Sequence, residues 1–289
     1  MKSKGITSSE IKKRQNDPLM LKSQYAARCY FNKAEKLNYY AWGFCFISAF
    51  SVFFPDTISR IIPLIISFVA DIAAWWIMVL AKKYVMAGAA LRRFFDSYVL
   101  GLEARQYTED EKRRLIETAD RQIRRNKKTA DQQMSNTAVD NPPGVYDWYM
   151  FSKDYEKFEA QFECQKQNTW WNKKLTNKRI LILSISLIVV LVPFIIMMIK
   201  SDALKTLLCS AGLIVMLLER ISENWKYYCQ SYRIEGAQAI LDVSHSNGGL
   251  TRFQEMINAR REINVLEINY LHRKQSSLLT DEYSKISNT

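Results

Sequence analysis

The sequence predicts an all-α membrane protein, with four transmembrane helices arranged as two hairpins and long helices that extend into a cytosolic helical bundle. Hydrophobic residues make up 48% of the 289 residues, and they are concentrated in two regions. No charged residue occurs from Ile180 to Ile199, which is the length that a helix needs to cross a bilayer core of about 30 Å. The rest of the chain shows helical periodicity and no alternating strand pattern of useful length.

The first 36 residues are polar and basic, and we expect them to form a cytosolic N-terminal arm (1–36). The first transmembrane hairpin follows at 37–81. Its two spans are expected at about Leu37–Phe54 and Ile58–Ala81. Because the first apolar run begins so late, the N-terminus does not resemble a signal peptide, and insertion is expected through internal spans.

The second transmembrane hairpin is predicted at 180–218, with spans at Ile180–Ile199 and about Ala203–Leu218. The last span is the weakest, because only 13 uncharged residues follow Lys205. Charge nevertheless favours it: basic residues flank both hairpins on the side away from the tight turns, and the positive-inside rule places such flanks in the cytoplasm. We therefore expect a multi-pass protein with both termini cytoplasmic.

Most of the chain lies outside the spans, in a cytosolic helical segment (82–179) and C-terminal cytosolic helices (219–289). Thr108, followed by acidic residues, predicts a helix from Glu109 to Lys128, and a loop is expected from Thr129 to Gly144. A turn at residues 246–249 is expected before a last helix. The apolar residues of that helix form a coiled-coil-like seam: Met256, Ala259, Ile263, Leu266 and Tyr270.

The composition argues against several functional classes. Five scattered cysteines indicate neither a disulfide scaffold nor a zinc ribbon. Nucleophile, metal and cofactor motifs are missing from the sequence, so we expect no enzyme, no catalytic residue, no metal and no cofactor. The net charge of +12 is best explained by charge that sets topology at an anionic leaflet. The alternatives are a solvated helix face and a site for a phosphate-bearing ligand; nucleic acid is not an expected partner.

Asp71 is predicted near the middle of the second span. An ionised aspartate there costs about 2.5–3.5 kcal/mol on insertion scales, so it should face protein or water. The candidate pore-lining residues share its helical face: Ser67, Asp71, Ala74 and Met78. The alternative is a structural role, in which Asp71 is neutral or hydrogen-bonds a neighbouring hydroxyl (Ser184, Ser186 or Ser210).

Four short motifs carry a resemblance to a known family. They are Arg14-Gln15-Asn16, Phe95-Asp96, the GVYDWY sequence at 144–149, and the EAQFECQKQNTWW sequence at 159–171. With these motifs, in this order around the spans, the chain resembles the bacterial SMODS-associated four-transmembrane family of pore-forming effectors. The resemblance implies a role in antiphage systems that signal through cyclic oligonucleotides, at the bacterial inner (cytoplasmic) membrane.

The resemblance implies an effector that senses the messenger, assembles and permeabilises the membrane, so its expected partners are the lipid bilayer, further copies of itself and a cyclic oligonucleotide. Four spans are too few to enclose an ion path of useful width, so a homo-oligomer is expected. The alternative is a membrane-anchored interaction scaffold without pore activity, whose cytosolic helices recruit a partner.

A cyclic oligonucleotide needs cations for its phosphates and flat aromatic rings for its bases. The segment between the hairpins offers both. The candidate ligand-binding residues are Arg92, Arg93, Phe95, Tyr98, Trp148, Tyr149, Gln165 and Asn168. The alternative is that Phe95, Trp148 and Trp171 belong to a hydrophobic core and that Asp96 caps a helix.

Overall fold

The computed structural model describes residues 6–54, 61–102, 106–200 and 203–265. Its secondary-structure elements are helices, and the described ranges contain no β-strand beyond one isolated bridge between Thr137 and Tyr146. The all-α prediction is confirmed for this part of the chain. The helices are α1 (Ser8–Gln15), α2 (Pro18–Phe50), α3 (Ile61–Leu100), α4 (Glu109–Arg125), α5 (Lys127–Ser135), α6 (Lys157–Lys200), α7 (Ala203–Ser244) and α8 (Asn247–Arg261).

The α2 helix begins well before the first predicted span, at Pro18. The Asp17 side chain caps it by accepting a hydrogen bond from the Leu19 amide at 2.9 Å, and proline suits the first helical position because its missing N–H would be unpaired there. Much of the expected N-terminal arm is therefore the cytosolic half of a helix of 33 residues, about 50 Å long.

α2 and α3 form an antiparallel pair along most of their length. At the apolar end of the pair the hydroxyls of Ser48 and Ser67 lie 2.7 Å apart, and at the polar end Ser23 donates to the Leu91 carbonyl at 3.0 Å. The α7 helix packs against both, and small or flexible apolar residues fill the three-helix contact: Ala41, Cys45, Ala49, Ala74, Met78, Leu213, Met216 and Leu217.

Among the described helices, α3 is the one that is long and apolar enough to cross a membrane by its length and composition. The two-hairpin arrangement with four spans stays a prediction, and its Ile58 boundary lies outside the described residues. Large apolar side chains are nevertheless exposed on α3 and α6; Phe68, Trp76 and Ile188 are 66%, 61% and 61% exposed. Exposed apolar surface on this scale marks contact with a membrane or with protein.

Two helices were not predicted from the sequence: α1, in the expected N-terminal arm, and α5. The α4 helix begins as predicted, with a reciprocal capping box between Thr108 and Glu111. The α5 helix, however, occupies the first half of the expected loop. Buried Ala130 of α5 packs with Tyr25 and Val145, so tertiary contacts stabilise a nine-residue helix that would be marginal alone.

The expected turn at 246–249 is the start of α8. Ser246 caps this helix by accepting from the Gly249 amide at 3.3 Å, and buried Leu250, Phe253 and Ile257 pack against α6 and α7. The helix ends at Arg261, which is within the predicted seam. The last two seam residues, Leu266 and Tyr270, lie outside the described residues.

Candidate ligand-binding site

A cavity of about 670 Å³ opens in the part of the protein that lies away from the predicted spans. Its walls come from α1, α2, α3, the loop between α5 and α6, the polar halves of α6 and α7, and the C-terminal end of α8. This volume lies in the range of about 300–1,000 Å³ that is typical of small-molecule sites. The cavity therefore collects residues from almost the whole length of the chain.

The lining of the cavity is strongly basic. Among the described residues that line it, one carboxylate, Asp147, faces six cationic side chains: Lys12, Arg28, Arg92, Arg179, Arg260 and Arg261. Arg28 is engaged by the loop, because it donates to the Pro143 and Gly144 carbonyls at 2.6 and 2.8 Å. A concave surface with this charge imbalance attracts anions.

Three of these arginines carry buried N–H groups that find no hydrogen-bond partner among the described residues: Nε of Arg92, Nη1 of Arg179 and Nη2 of Arg260. More than about nine in ten buried polar groups in proteins have a partner, so each exception needs an explanation. Guanidinium N–H groups without a partner in the walls of a basic cavity are donors that an anionic ligand could use.

Flat aromatic rings accompany the arginines. The Arg92 guanidinium lies 4.2 Å from the centre of the Trp148 ring. Arg179 and Arg260 both lie against Tyr227, at 5.0 and 5.8 Å from its ring centre. Phe31, Phe151 and Trp171 also line the cavity. Aromatic and guanidinium planes of this kind are the surfaces on which proteins stack nucleobases.

The Arg14-Gln15-Asn16 motif holds the aromatic loop in place. Gln15 pairs with the Tyr149 backbone on both sides, accepting from its amide at 2.8 Å and donating to its carbonyl at 3.1 Å. Asn16 donates to the Asp147 carboxylate at 2.7 Å and accepts from the Asp147 amide at 3.1 Å. The two side-chain amides thus satisfy backbone N–H and C=O groups of the loop, which in a sheet would pair with a neighbouring strand. They also position Trp148 and Tyr149 in the cavity wall.

Buried Asp96 of α3 holds two lining residues of the cavity, Tyr149 and Arg261, in place. Its carboxylate accepts hydrogen bonds from the Tyr149 hydroxyl and from Gln254 Nε2, each at 2.8 Å, and forms an ion pair with Arg261. Burial raises the pKa of Tyr149 well above its usual range, and the adjacent carboxylate adds to the effect, so the hydroxyl stays a donor. Asn168 donates to the same hydroxyl at 2.9 Å.

The basic side chains stay charged despite their burial. Burial and the charges of Arg261 and Arg28 lower the pKa of Arg92 to about 10, which still leaves the guanidinium protonated at neutral pH. Burial also lowers the pKa of Arg261, but Asp96 and Tyr149 more than offset this, so the net shift is upward. The cavity therefore presents permanent positive charge to a ligand.

Half of the predicted ligand-binding residues line the cavity: Arg92, Trp148, Tyr149 and Asn168. Gln165 lies beside them and donates to Gln254 at 2.7 Å. The other three do not join the cavity. Phe95 packs beneath Tyr149 in the hydrophobic core, Arg93 pairs with Glu262 in a separate cavity of about 570 Å³, and the half-exposed Tyr98 accepts a bond from Arg14 through its carbonyl.

The sequence reading missed the cavity residues that come from distant segments: Lys12, Arg28, Arg179, Tyr227, Arg260 and Arg261. Arg179 directly precedes the third predicted span and was interpreted as topology-setting charge. Arg260 and Arg261 follow one another at the end of an amphipathic helix, where basic residues are ordinary. The two adjacent arginines beside the coiled-coil-like seam were the available sequence signal for this part of the cavity, and that signal is weak.

The candidate pore-lining face points into the protein. Ser67, Ala74 and Met78 are buried, and Ser67 meets Ser48 of α2. Asp71 lies against the backbone of Gly212, where a Cβ atom would overlap its carboxylate. The hydroxyls of Ser184 and Ser186 bond carbonyls of their own helix instead. The face is thus covered by α7, and its lining role stays a prediction.

Apolar helices that run into a charged helical body define a membrane-associated protein, and this body contains a basic cavity. The chain belongs to the SMODS-associating 4TM effector domain family, whose model matches residues 9–224. No curated protein and no solved structure matches it. Membership makes the protein a membrane effector of antiphage nucleotide signalling. The match leaves residues 225–244, nearly half of α7, and all of α8 outside the matched region.

Proposed function

We propose that this protein is a homo-oligomeric effector that binds a cyclic oligonucleotide in its cytosolic cavity and then permeabilises the bacterial inner membrane. The observation that carries the proposal is the cavity itself, which is lined by six cations, one carboxylate and several aromatic side chains. A cyclic oligonucleotide has one phosphodiester for each base, so it needs both kinds of surface in one place. The proposal assigns the chain no enzymatic step.

The helices of the cavity lead directly to the membrane. Arg92 lies on α3, Arg179 on α6 and Tyr227 on α7, and each of these helices continues into a predicted span. A ligand that fits one arrangement of these helices better than another shifts the population towards it. The face of Ser67, Asp71, Ala74 and Met78 is closed by α7 in this structure, so opening a path along it requires α7 to move away from α3.

The proposal predicts ligand-dependent leakage. Proteoliposomes loaded with a fluorescent dye should release it when a panel of cyclic di- and trinucleotides is added, and at least one member should be active. Arg92→Met should weaken that response at least tenfold, because it removes a buried charge and its N–H donors from the cavity. Arg113→Met removes an arginine from the exposed face of α4, where its side chain is 80% exposed, and should leave the response unchanged.

Dye retention with every ligand would refute pore formation and favour the membrane-anchored scaffold. An equal response from Arg92→Met and Arg113→Met would refute the cavity as the sensor. The two outcomes are separable, since the first concerns the membrane and the second concerns the binding site.

The surface for assembly is an apolar stripe on α7. Its members are exposed and follow helical spacing from the membrane outwards: Leu218, Ile221, Trp225, Tyr228, Tyr232, Ile240 and Val243. At 100° per residue, Lys226 and Arg233 follow one edge and Glu235 and Asp242 the other. Two copies in one membrane are parallel. When their stripes pack face to face, the basic edge of one copy lies beside the acidic edge of the other. The two acids also bind lysines of α6 within the protomer.

Native Cys229 lies within this stripe and tests the assembly. We expect a short bis-maleimide to cross-link a variant that retains only Cys229 into dimers, because the symmetric pairing brings the two thiols to the same height. A variant that retains only Cys29, which is equally intermediate in exposure but lies on α2, is the control and should not be cross-linked. Equal cross-linking of both variants, or of neither, would contradict the α7 pairing.

A further inference from the structure

We infer that Arg179, Tyr227 and Arg260 form a dedicated phosphate subsite where the cavity approaches the membrane. The inference deepens the proposed function, since it names the part of that site which binds the phosphate of the ligand. Two of the three residues, Tyr227 and Arg260, lie beyond the region that the family model matches. The C-terminal part of this chain, outside the matched region, therefore supplies two of the three residues of the subsite.

Three helices build the subsite. Arg179 comes from α6, Tyr227 from α7 and Arg260 from α8, and their exposed fractions are 6%, 4% and 2%. Both guanidinium groups contact the one phenol ring, at 5.0 and 5.8 Å from its centre. The Tyr227 hydroxyl is fixed by a hydrogen bond to Asn172 Oδ1 at 2.9 Å. The aromatic ring of Tyr227, rather than a carboxylate, therefore orients the two arginines.

Charge in the subsite is not neutralised by the protein. Burial lowers the pKa of Arg260, and the like charges of Arg261 and Arg179 act in the same direction. Glu235 is the carboxylate that acts on Arg260 electrostatically, and it already pairs with Lys173 at 3.0 Å. Within the described residues, one N–H of each guanidinium finds no acceptor. Two buried cations without a carboxylate between them are costly.

An anion with several oxygen atoms would pair the unpartnered N–H groups and would also balance the buried positive charge. A phosphate group accepts from Nη1 of Arg179 and from Nη2 of Arg260 together, and charge-assisted bonds of this kind are about twice as strong as neutral ones. Phosphate also brings the charge that the pair lacks. A neutral ligand could supply acceptors but no charge, so the subsite favours a phosphate or a phosphodiester.

The position of the subsite gives it a second role. Arg179 is followed directly by Ile180, where the third predicted span begins, and Tyr227 lies two helical turns beyond the fourth. A phosphate bound here joins the second hairpin to α8. Ligand binding is thereby converted into a fixed spacing of α6 and α7 at the membrane surface.

Inorganic pyrophosphate is the probe for this inference, because it carries the phosphate chemistry without a base. We expect it to raise the melting temperature of the detergent-solubilised full-length protein, and to raise that of Arg113→Met equally. Arg179→Met and Arg260→Met should each need at least tenfold more pyrophosphate for the same rise. A wild-type protein that does not respond, or variants that respond like the wild type, would overturn the subsite.

The melting temperature without ligand provides an independent readout. Because Arg260→Met removes an uncompensated buried charge, the unliganded variant should melt at the same temperature as the wild type or above it. A lower melting temperature would show that Arg260 is a structural residue whose charge the fold already balances, and would contradict the inference.

Cyclic di- and triadenylate then separate the subsite from the proposed function. Pyrophosphate binding that depends on Arg260, together with no binding of any cyclic nucleotide, would leave the subsite intact and refute the proposed messenger. Cyclic nucleotides that bind Arg179→Met and Arg260→Met as tightly as the wild type would leave the proposed function intact and refute the subsite.

Discussion

Replacing Asp96 with alanine should cost about 3–5 kcal/mol of folding free energy, because it breaks a buried ion pair from one side. Asp96 is 1% exposed, and its partner Arg261 has 13% of its side chain exposed. The substitution leaves Arg261 charged and buried, and it removes the acceptor of Tyr149 and Gln254. Since these partners come from α8 and the cavity loop, both should detach from α3 together.

Chemical denaturation of the detergent-solubilised protein measures this effect, and limited proteolysis of α8 locates it. Asp120→Ala is the matched control, because Asp120 forms an exposed ion pair with Lys22 at 3.2 Å, and such pairs contribute about 0–1 kcal/mol. Adding Arg261→Met to Asp96→Ala should recover part of the loss, since the orphaned charge is then removed. Equal costs for Asp96→Ala and Asp120→Ala would contradict the anchoring role.

Gly212→Val should separate α3 from α7 within the membrane part of the bundle. A Cβ atom at position 212 would overlap the Asp71 carboxylate, and overpacking of a close helix contact costs about 1–3 kcal/mol or more. The two helices also meet one turn away, where Ser67 of α3 donates to the Cys209 carbonyl of α7 at 3.4 Å. We therefore expect a displaced helix and a lower melting temperature.

A second substitution tests whether the overlap is the cause. Asp71→Ala removes the atoms that a Cβ at position 212 would meet, so Gly212→Val combined with Asp71→Ala should recover most of the lost thermal stability. Gly43→Val makes the same change on α2, where a Cβ atom would meet nothing within 4 Å, and should have little effect. If the double variant is no more stable than Gly212→Val, the α3–α7 contact does not depend on Asp71.

Local signals predicted the parts of the fold that depend on neighbouring residues in the sequence. Thr108 and the acids after it gave the start of α4 correctly, because a helix cap is a short-range interaction. The continuation of the second span into the cytosol was also predicted, since no helix breaker follows Ala81, and α3 runs to Leu100. The α5 helix was not predicted because packing against Tyr25 stabilises it, and that contact cannot be inferred from the sequence of the helix itself.

The candidate site could be predicted only in part for the same reason. Trp148 and Tyr149 were found through the motif that contains them, yet what places them in the cavity is a pair of amides at Gln15 and Asn16. Arg260 is separated from Arg92 by more than half of the chain, and its adjacency to Tyr227 follows from three-helix packing. Periodicity reports which face of a helix is buried, but it does not report which distant residue meets that face.

The length of α7 has a mechanical consequence. This single helix of 42 residues, without a proline, carries both Gly212 against Asp71 and Tyr227 against the arginines. Fifteen residues separate the two positions, or about 22 Å along the axis, so a tilt of about 5° pivoting at Tyr227 displaces Gly212 by about 2 Å. A stiff helix therefore acts as a lever: a small angular change near Tyr227 becomes a displacement at Gly212 that is large enough to release a close helix contact.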